Sequence, residues 1–370
     1  MNPETEILWL AAHPANLFLE QNDEKLLPEA DQFVDLNSIA ESTAGDYEVN
    51  LVTYASRARE KWNKNVDIYK RVVHRDKFDL VIGDETYEIS SALKKNPRLK
   101  AAPFVMIYDF VGFDSMKTSL LEKLKVYMMN RLWSGGFKHG SPPYDLALFV
   151  GEPEDVPNKP FGFLLPNRRE FAQKRYKFVG YILPFDPANY MDPAKIRMRL
   201  GYGKETLIIC AIGGTSIGKE LLELCGNTFP LIKRKIPNVR MVLVCGPRLD
   251  IKSLRIPDGV EIRGYVPRLY EHLASCDLAI VQSGGTSTLE LTALRRPFIY
   301  FPIEGHFEQE IHVAGRLARH RAGIRMHYSE TTPAILAEQA IAAVGRCVNY
   351  ELIPTNGAQK SAELISLLLG

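Results

Sequence analysis

The chain has 370 residues, enough for two domains of ordinary size, each with its own core. Its 46 basic and 44 acidic side chains leave a net charge of +2, which argues against a dedicated nucleic-acid binder. No apolar run approaches the roughly 20 residues that span a bilayer, and MNPETEILWL lacks the basic segment, apolar core and cleavage site of a secretory leader, so a cytoplasmic protein is expected. Cys210, Cys225, Cys245, Cys276 and Cys347 show no C-x-x-C spacing. They read as free, buried thiols of a reducing compartment, with no disulfide framework or zinc site.

Residues 7–12 form a short apolar run ending at His13-Pro14, which reads as the first strand of an N-terminal parallel sheet. Residues 20–50 are polar apart from 32–36, a short strand, and 54–75 read as a helix. Residues 78–82 and 104–108 are buried strands ending in Gly83-Asp84-Glu85 and in Asp109, so acidic groups sit at both strand tips. Solvated turn carboxylates and helix caps look the same. The stretch 116–139, MKTSLLEKLKVYMMNRLWSGGFKH, sets Leu, Met and Trp beside Lys117, Lys123, Lys125, Arg131 and Lys138. That composition suits a helix lying on an anionic membrane surface. It equally describes a helix with a core-facing apolar side and solvated lysines, the commoner case. Residues 145–150 are a further strand, 153–166 are proline-rich, and Phe178-Val179-Gly180 with 183–187 reads as a linker. This places the domains at 1–180 and 181–345, with 346–370 as a closing helical segment.

The second half alternates strand and helix, the pattern of a doubly wound parallel sheet. Residues 206–212 run into Gly213-Gly214-Thr215-Ser216-Ile217-Gly218 and then a helix over 219–235. A glycine turn onto a helix start offers unpaired N–H groups and the positive end of the helix dipole, which suits phosphate. A Walker loop is nearly spelled, but Glu220 stands where the magnesium-binding hydroxyl belongs. Gly214 to Gly218 also matches G-x-S-x-G, but no oxyanion loop of the HGGG kind precedes it. Strands follow at 241–244 and 260–264.

The most informative stretch is 277–309, DLAIVQSGGTSTLELTALRRPFIYFPIEGHFEQ. An apolar strand turns through Gly284 and Gly285 into a helix carrying Leu289, Leu291 and Leu294 on one side. Thr286, Ser287 and Thr288 bring hydroxyl donors to its first turn, and Glu290 is placed to reach a polar neighbour such as a sugar hydroxyl. Pro297 closes the helix, 298–301 is the next strand, and Pro302 opens a loop delivering Glu304, His306, Glu308 and Gln309 to the same side of the sheet. A final strand at 323–326 and helices at 333–344 and 358–369 complete the chain. No metal-ligand spacing and no Asp-x-Asp is present, so no metal site is expected.

Ser-Gly-x-x-Ser-x-x-Glu, then Pro seven residues after the Glu, then a strand, Pro and a Glu-Gln pair, resembles the nucleotide-sugar signature of GT-B glycosyltransferases, most closely family 28 and more distantly the UDP-glucuronosyltransferases. The resemblance implies an α/β GT-B fold of two Rossmann-like doubly wound domains facing a cleft, with the closing helix crossing back to the first domain. It implies a hexosyltransferase that uses a UDP-sugar donor and no tightly bound cofactor. Ser283, Gly284, Gly285, Thr286 and Ser287 would hold the diphosphate, Glu290 the ribose hydroxyls, and Glu308 with Gln309 the ribose and donor sugar. Gly214, Thr215 and Ser216 would touch the diphosphate, and the Val266 backbone would read uracil. On the acceptor side the resemblance points to His13 as the base, with Asp84 or Asp109 orienting it or replacing it. Two departures are visible: AAHPANLF stands where the family carries a glycine-rich loop, and Arg295 stands where it has glycine. Family 28 acceptors are often lipids, which would make a lipid-linked or glycan acceptor and a peripheral membrane contact through 116–139 natural. Two alternatives fit the same residues: a GT-B isomerase of the UDP-sugar 2-epimerase kind using Asp84, Glu85 and Asp109, and a catalytically inactive nucleotide-sugar-binding subunit.

Overall fold

The computed structural model describes residues 5–35, 51–135, 142–214 and 217–369, the side chains of 51–59 excepted. These fall into two compact units. The first comprises Leu51–Ile182 with residues 5–35 and Pro354–Gly370, and the second is Leu183–Ile353.

In the first unit, α1 (Ala15–Gln21) and α2 (Leu51–Arg75) precede a sheet of β1 (Val81–Asp84), β2 (Phe104–Tyr108), β3 (Leu146–Val150) and β4 (Lys177–Gly180). All four strands are parallel and pair in chain order. Alternation along β2 and β3 decides the packing, because successive side chains point to opposite faces. Phe104, Met106, Tyr108, Ala147 and Phe149 meet α3 (Tyr87–Lys95) through Ile89 and Leu93. Val105 and Leu148 face the other way, with Val179, against Leu364 and Ile365 of the helix Gly357–Ser366 and Leu368 just after it. Tyr181 fastens that segment: its N–H donates to Pro354 O at 2.8 Å, and Gly357 N–H donates to Tyr181 O at 3.0 Å.

Two expected strands do not form. Residues 7–12 make only an isolated bridge, with Trp9 N–H on Lys25 O at 2.9 Å and Leu27 N–H on Trp9 O at 2.8 Å, and Ile7, Leu8 and Trp9 stay exposed. The apolar run is too exposed to be a central strand. Residues 30–32 form a 3-10 turn, so the strand expected at 32–36 is replaced by a turn and an extended exit, with Leu36 outside the described residues.

In the second unit, α6 (Pro193–Leu200), which follows α4 (Leu120–Trp133) and α5 (Arg168–Arg175) of the first, leads into β5 (Thr206–Ala211). Then come α7 (Lys219–Lys235), β6 (Val239–Val244), β7 (Glu261–Arg263), α8 (Leu269–Ser275), β8 (Leu278–Gln282), α9 (Gly285–Ala293) and β9 (Phe298–Phe301). A π-helical segment Glu308–Val313, α10 (Ala314–Arg319), β10 (Ile324–Arg325) and α11 (Pro333–Ala343) complete it. The parallel sheet runs β10-β9-β8-β5-β6-β7. Strands covered on both faces read as continuous apolar runs, and β5 and β8 do: Ile208, Cys210 and Ile280 pack with Leu221, Leu222 and Phe229 of α7 and Leu336 of α11. Leu207, Ile209, Ala279 and Val281 pack on the opposite side with Leu273 of α8 and Leu291 of α9. Helices on both faces of a parallel sheet are the doubly wound arrangement expected. Cys210, Cys225, Cys245 and Cys276 are buried, whereas Cys347 is exposed, contrary to the expectation of five buried thiols.

Candidate functional site

The strand order of the second unit reverses between β5 and β8. From β5 the chain proceeds outward to β6 and β7, then returns to β8 on the other side and proceeds to β9 and β10. In open α/β sheets such a reversal leaves a crevice at the carboxyl ends of the two central strands. Both glycine turns singled out in the sequence leave from those two ends. β5 exits through Ile212 to Gly213 and Gly214, and β8 through Gln282 to Ser283, Gly284 and Gly285. Gly213 N–H donates to Gln282 Oε1 at 3.4 Å, which ties one tip to the other. Ser283 N–H donates to Phe301 O at 2.9 Å, continuing the ladder one residue past the strand.

The glycines at these tips are not required by the chain itself. Among the described residues, a Cβ at Gly213, Gly214, Gly284 or Gly285 would meet no neighbouring atom within 4 Å, and none of the four has a left-handed φ. Gly218 is the contrast: its φ is +127°, and a Cβ there would lie 2.5 Å from Ile212 Cγ2. Glycine at 213 and 214 therefore leaves the turn after β5 uncrowded, and glycine at 284 and 285 keeps surface clear above backbone N–H groups at the start of α9, an arrangement suited to an approaching anion.

Around that surface the structure holds polar groups in reserve. Glu290 is 6% exposed on α9, has no hydrogen-bond or ionic partner among the described residues, and burial alone pushes its carboxyl up to about 8. Ser283 Oγ is fully buried without a partner among the described residues, and a buried polar atom left unmatched is costly. Thr286 is exposed and Ser287 half-buried, and neither hydroxyl has a partner among the described residues. Thr288 differs from the expectation: it is buried, and its Oγ1 donates back to Gly284 O at 2.8 Å, so its proton is spent inside the helix.

The loop after β9 delivers its residues unevenly. Gln309 is buried in the π-helical segment, and its Oε1 accepts from Ile303 N–H at 2.8 Å, leaving the amide N–H groups as its outward capacity. Glu308 is half-buried at the first π-helical position. Single π-helical turns inside helices recur at functional sites. Glu304 accepts from Ser329 N–H at 3.0 Å, and His306 stacks on Phe307, so these two turn toward neighbouring protein. Val266, in the loop after β7, packs half-buried on the core. Thr215 and Ser216 lie outside the described residues. Arg295, where glycine was the family expectation, takes a left-handed φ of 53° at the end of α9, and its guanidinium donates to Tyr350 O at 3.2 Å. The position demands glycine-like geometry, and arginine meets it with a tether.

In the first unit, Asp84 ends β1 and Asp109 follows β2, the neighbouring strand, with Asp84 paired to Ile107. Although the Asp84 side chain reaches solvent, the protein packed around its carboxyl and then the Asp109 charge push it up to about 6. Asp109 Oδ1 is buried without a partner. Glu85 sits in the left-handed region at φ 50° and accepts from Tyr87 Oη at 2.8 Å. His13 departs from the expectation. Residues 7–12 are not part of the sheet, so His13 is exposed in a loop before α1 and caps no strand. Sequence reasoning passed over Gln282; a glutamine closing the otherwise apolar run of β8 was the available signal.

Residues 208–361 match the glycosyltransferase family 28 C-terminal domain. The chain is 28% identical over 174 residues to the UDP-N-acetylglucosamine–N-acetylmuramyl-(pentapeptide) pyrophosphoryl-undecaprenol N-acetylglucosamine transferase of Carboxydothermus hydrogenoformans, covering 45% of this chain and 42% of that one. It is 30% identical over 128 residues to the processive diacylglycerol beta-glucosyltransferase of Bacillus subtilis, covering 33% and 32%. Each match spans less than half of the relative's length. Among solved structures, the glycotransferase of kitacinnamycin superposes with a TM-score of 0.58 at 14% identity, covering 98% of this chain and 87% of that one. The family 28 resemblance and the GT-B fold read from the sequence are both borne out.

Proposed function

We propose that the chain is a glycosyltransferase that moves a sugar from a UDP-sugar, held by its second unit, to a hydroxyl of a lipid-linked or glycan acceptor on its first unit. The observation that carries this reading is the pair of glycine turns at the β5–β8 reversal, open where side chains would stand, with an unpartnered Glu290 on the helix that begins there. In this reading the start of α9 and the Gly213-Gly214 turn receive the diphosphate. Thr286 and Ser287 donate hydroxyls, Glu290 accepts from the ribose, and Gln309 offers its amide N–H groups to ribose or sugar. The family match over this segment and the UDP-sugar in the name of the Carboxydothermus relative support the donor class.

The transfer step in this proposal is a displacement. A carboxylate takes the acceptor O–H proton, the oxygen forms a bond to the anomeric carbon, and the bond from that carbon to the diphosphate breaks with inversion. The departing negative charge is met by helix N-terminal N–H groups. Asp84 is the better candidate for the base than His13, because it stands at a strand tip beside Asp109 with its carboxyl raised toward neutrality. The undecaprenol and diacylglycerol in the names of the two relatives favour a lipid-linked acceptor, and with it a peripheral membrane contact of 116–139, of which 136–139 lie outside the described residues. Among the described residues no helix is long and apolar enough to cross one.

Titration calorimetry of the full chain with UDP and UDP-sugars tests the donor site. Glu290→Ala is expected to weaken UDP by roughly tenfold to a hundredfold, because buried ribose hydroxyls would lose their hydrogen-bond partner. Unchanged UDP affinity in the folded variant would remove Glu290 from the site.

A further inference from the structure

The helix α4 is built inside out. It buries Glu122, Val126 and Asn130 and leaves Leu120, Leu121, Leu124, Met128 and Leu132 exposed, Leu120 at 83%. Leu120, Leu124 and Met128 follow at four-residue spacing on one line of the helix. The polar groups are turned inward for a structural reason. Glu122 accepts from Ser115 Oγ at 2.9 Å and from the N–H groups of Met116 and Lys117 at 2.9 and 3.1 Å, and Asn130 Nδ2 donates to Phe161 O at 2.8 Å. Anchoring these loops fixes the helix rotation, and the leucines are left outside.

Asn130 and Tyr127 hold a second apolar element beside the helix. The chain between Pro160 and Asn167 doubles back, closed by Phe161 N–H on Pro166 O at 2.9 Å and Leu165 N–H on Gly162 O at 3.0 Å. Phe163 and Leu164 occupy the two central turn positions and are 80% and 86% exposed. Leu164 takes a left-handed φ of 58°, where glycine or asparagine is the ordinary choice. Tyr127 Oη donates to Phe163 O at 3.3 Å, so the turn is tied to α4. A strained backbone thus presents two large apolar side chains to solvent on a rigid mount.

We propose that α4 and this turn form one docking surface for an anionic lipid bilayer, with Phe163 and Leu164 entering the headgroup–acyl boundary. This deepens the membrane contact proposed above and rests on that part of it alone. Charge selects the occupant. Lys123 and Lys125 are exposed on α4, the helix's acid Glu122 is buried, and residues 157–167 contain no Asp or Glu. A second copy on the same face would oppose lysine to lysine, whereas anionic headgroups complement them and the apolar side chains bury below.

The test is co-sedimentation of the full chain with phosphatidylglycerol or phosphatidylcholine vesicles, together with UDP calorimetry on the same samples. Wild type should bind phosphatidylglycerol vesicles in preference and be released by salt. Phe163→Ser combined with Leu164→Asn should reduce partitioning about tenfold or more, and Lys123→Glu with Lys125→Glu should abolish the lipid preference. UDP affinity should be unchanged in both variants. Phe163→Trp, whose emission should shift to the blue on phosphatidylglycerol vesicles, gives a readout without loss of apolar surface. Equal partitioning of the turn variant, no binding by wild type, or self-association that the turn variant abolishes would each overturn the proposal. Vesicle binding without UDP binding would support the docking surface and refute the donor reading.

Discussion

The side-chain oxygen of Gln282, the last residue of β8, accepts from the backbone N–H of Gly213, the first glycine after β5, at 3.4 Å. One weak bond thereby links the two glycine turns at the place where the strand order reverses. Gln282→Leu should cost about 1 kcal/mol of stability in chemical denaturation, the scale of one hydrogen bond. UDP affinity should fall about tenfold, because the Gly213 turn loses its tie. A variant binding UDP as wild type would show that the turn is held by other contacts.

Gly284→Ala separates folding from binding. Among the described residues the methyl meets no atom within 4 Å, and Gly284 has an ordinary φ of −67°, so stability should change by less than about 1 kcal/mol. The methyl instead occupies the open surface at the start of α9, and UDP affinity should drop about tenfold or more in calorimetry. Loss of fold without ligand would refute the claim that this glycine serves a ligand.

Glu290 makes stability depend on pH with a defined sign. Its carboxyl is raised in the folded chain to about 8, so the native state holds a proton that the unfolded chain releases above its ordinary carboxyl pKa. Stability should therefore fall as pH rises from about 4.5 to 8 and level off above. Glu290→Gln removes this slope: it should match wild type near pH 4 and exceed it near pH 8, by on the order of a few kcal/mol. Denaturant midpoints across this range decide it. Parallel curves for the two proteins would place the carboxyl elsewhere in pKa.

Arg295→Gly tests the helix end. Relief of the left-handed strain, worth about 1 kcal/mol, opposes the greater chain entropy of glycine and the lost bond to Tyr350 O. Stability should move by less than about 1 kcal/mol, measured by denaturant midpoint. A larger loss would make the Tyr350 tether the dominant device.

On the acceptor side, once an acceptor is in hand, Asp84→Asn should lower turnover by about a hundredfold or more while UDP binding holds, and His13→Ala should keep most of its turnover. The opposite pattern would restore His13 as the base.

The strands and helices of the second unit were legible because both faces of its central strands are covered, which writes β5, β8 and β9 as apolar runs ended by glycine or proline. Gly284, Gly285 and Glu290 were visible for the same local reason, because their spacing lies within one strand–turn–helix unit, and Gln309 follows just after the next strand. Sequence could not say that β5 lies beside β8, since pairing between distant strands is a matter of topology. Nor could it say that Glu290 ends up buried without a partner. Residues 7–12 misled because a short apolar run carries no mark of whether a sheet edge is available to receive it. The α4 helix misled more deeply. Its apolar spacing states that the leucines share a side, but the rotation about the helix axis was fixed by Glu122 reaching back to the loop just before the helix and by Asn130 reaching Phe161, 31 residues along the chain. Only those tertiary hydrogen bonds decided that the shared side faces outward.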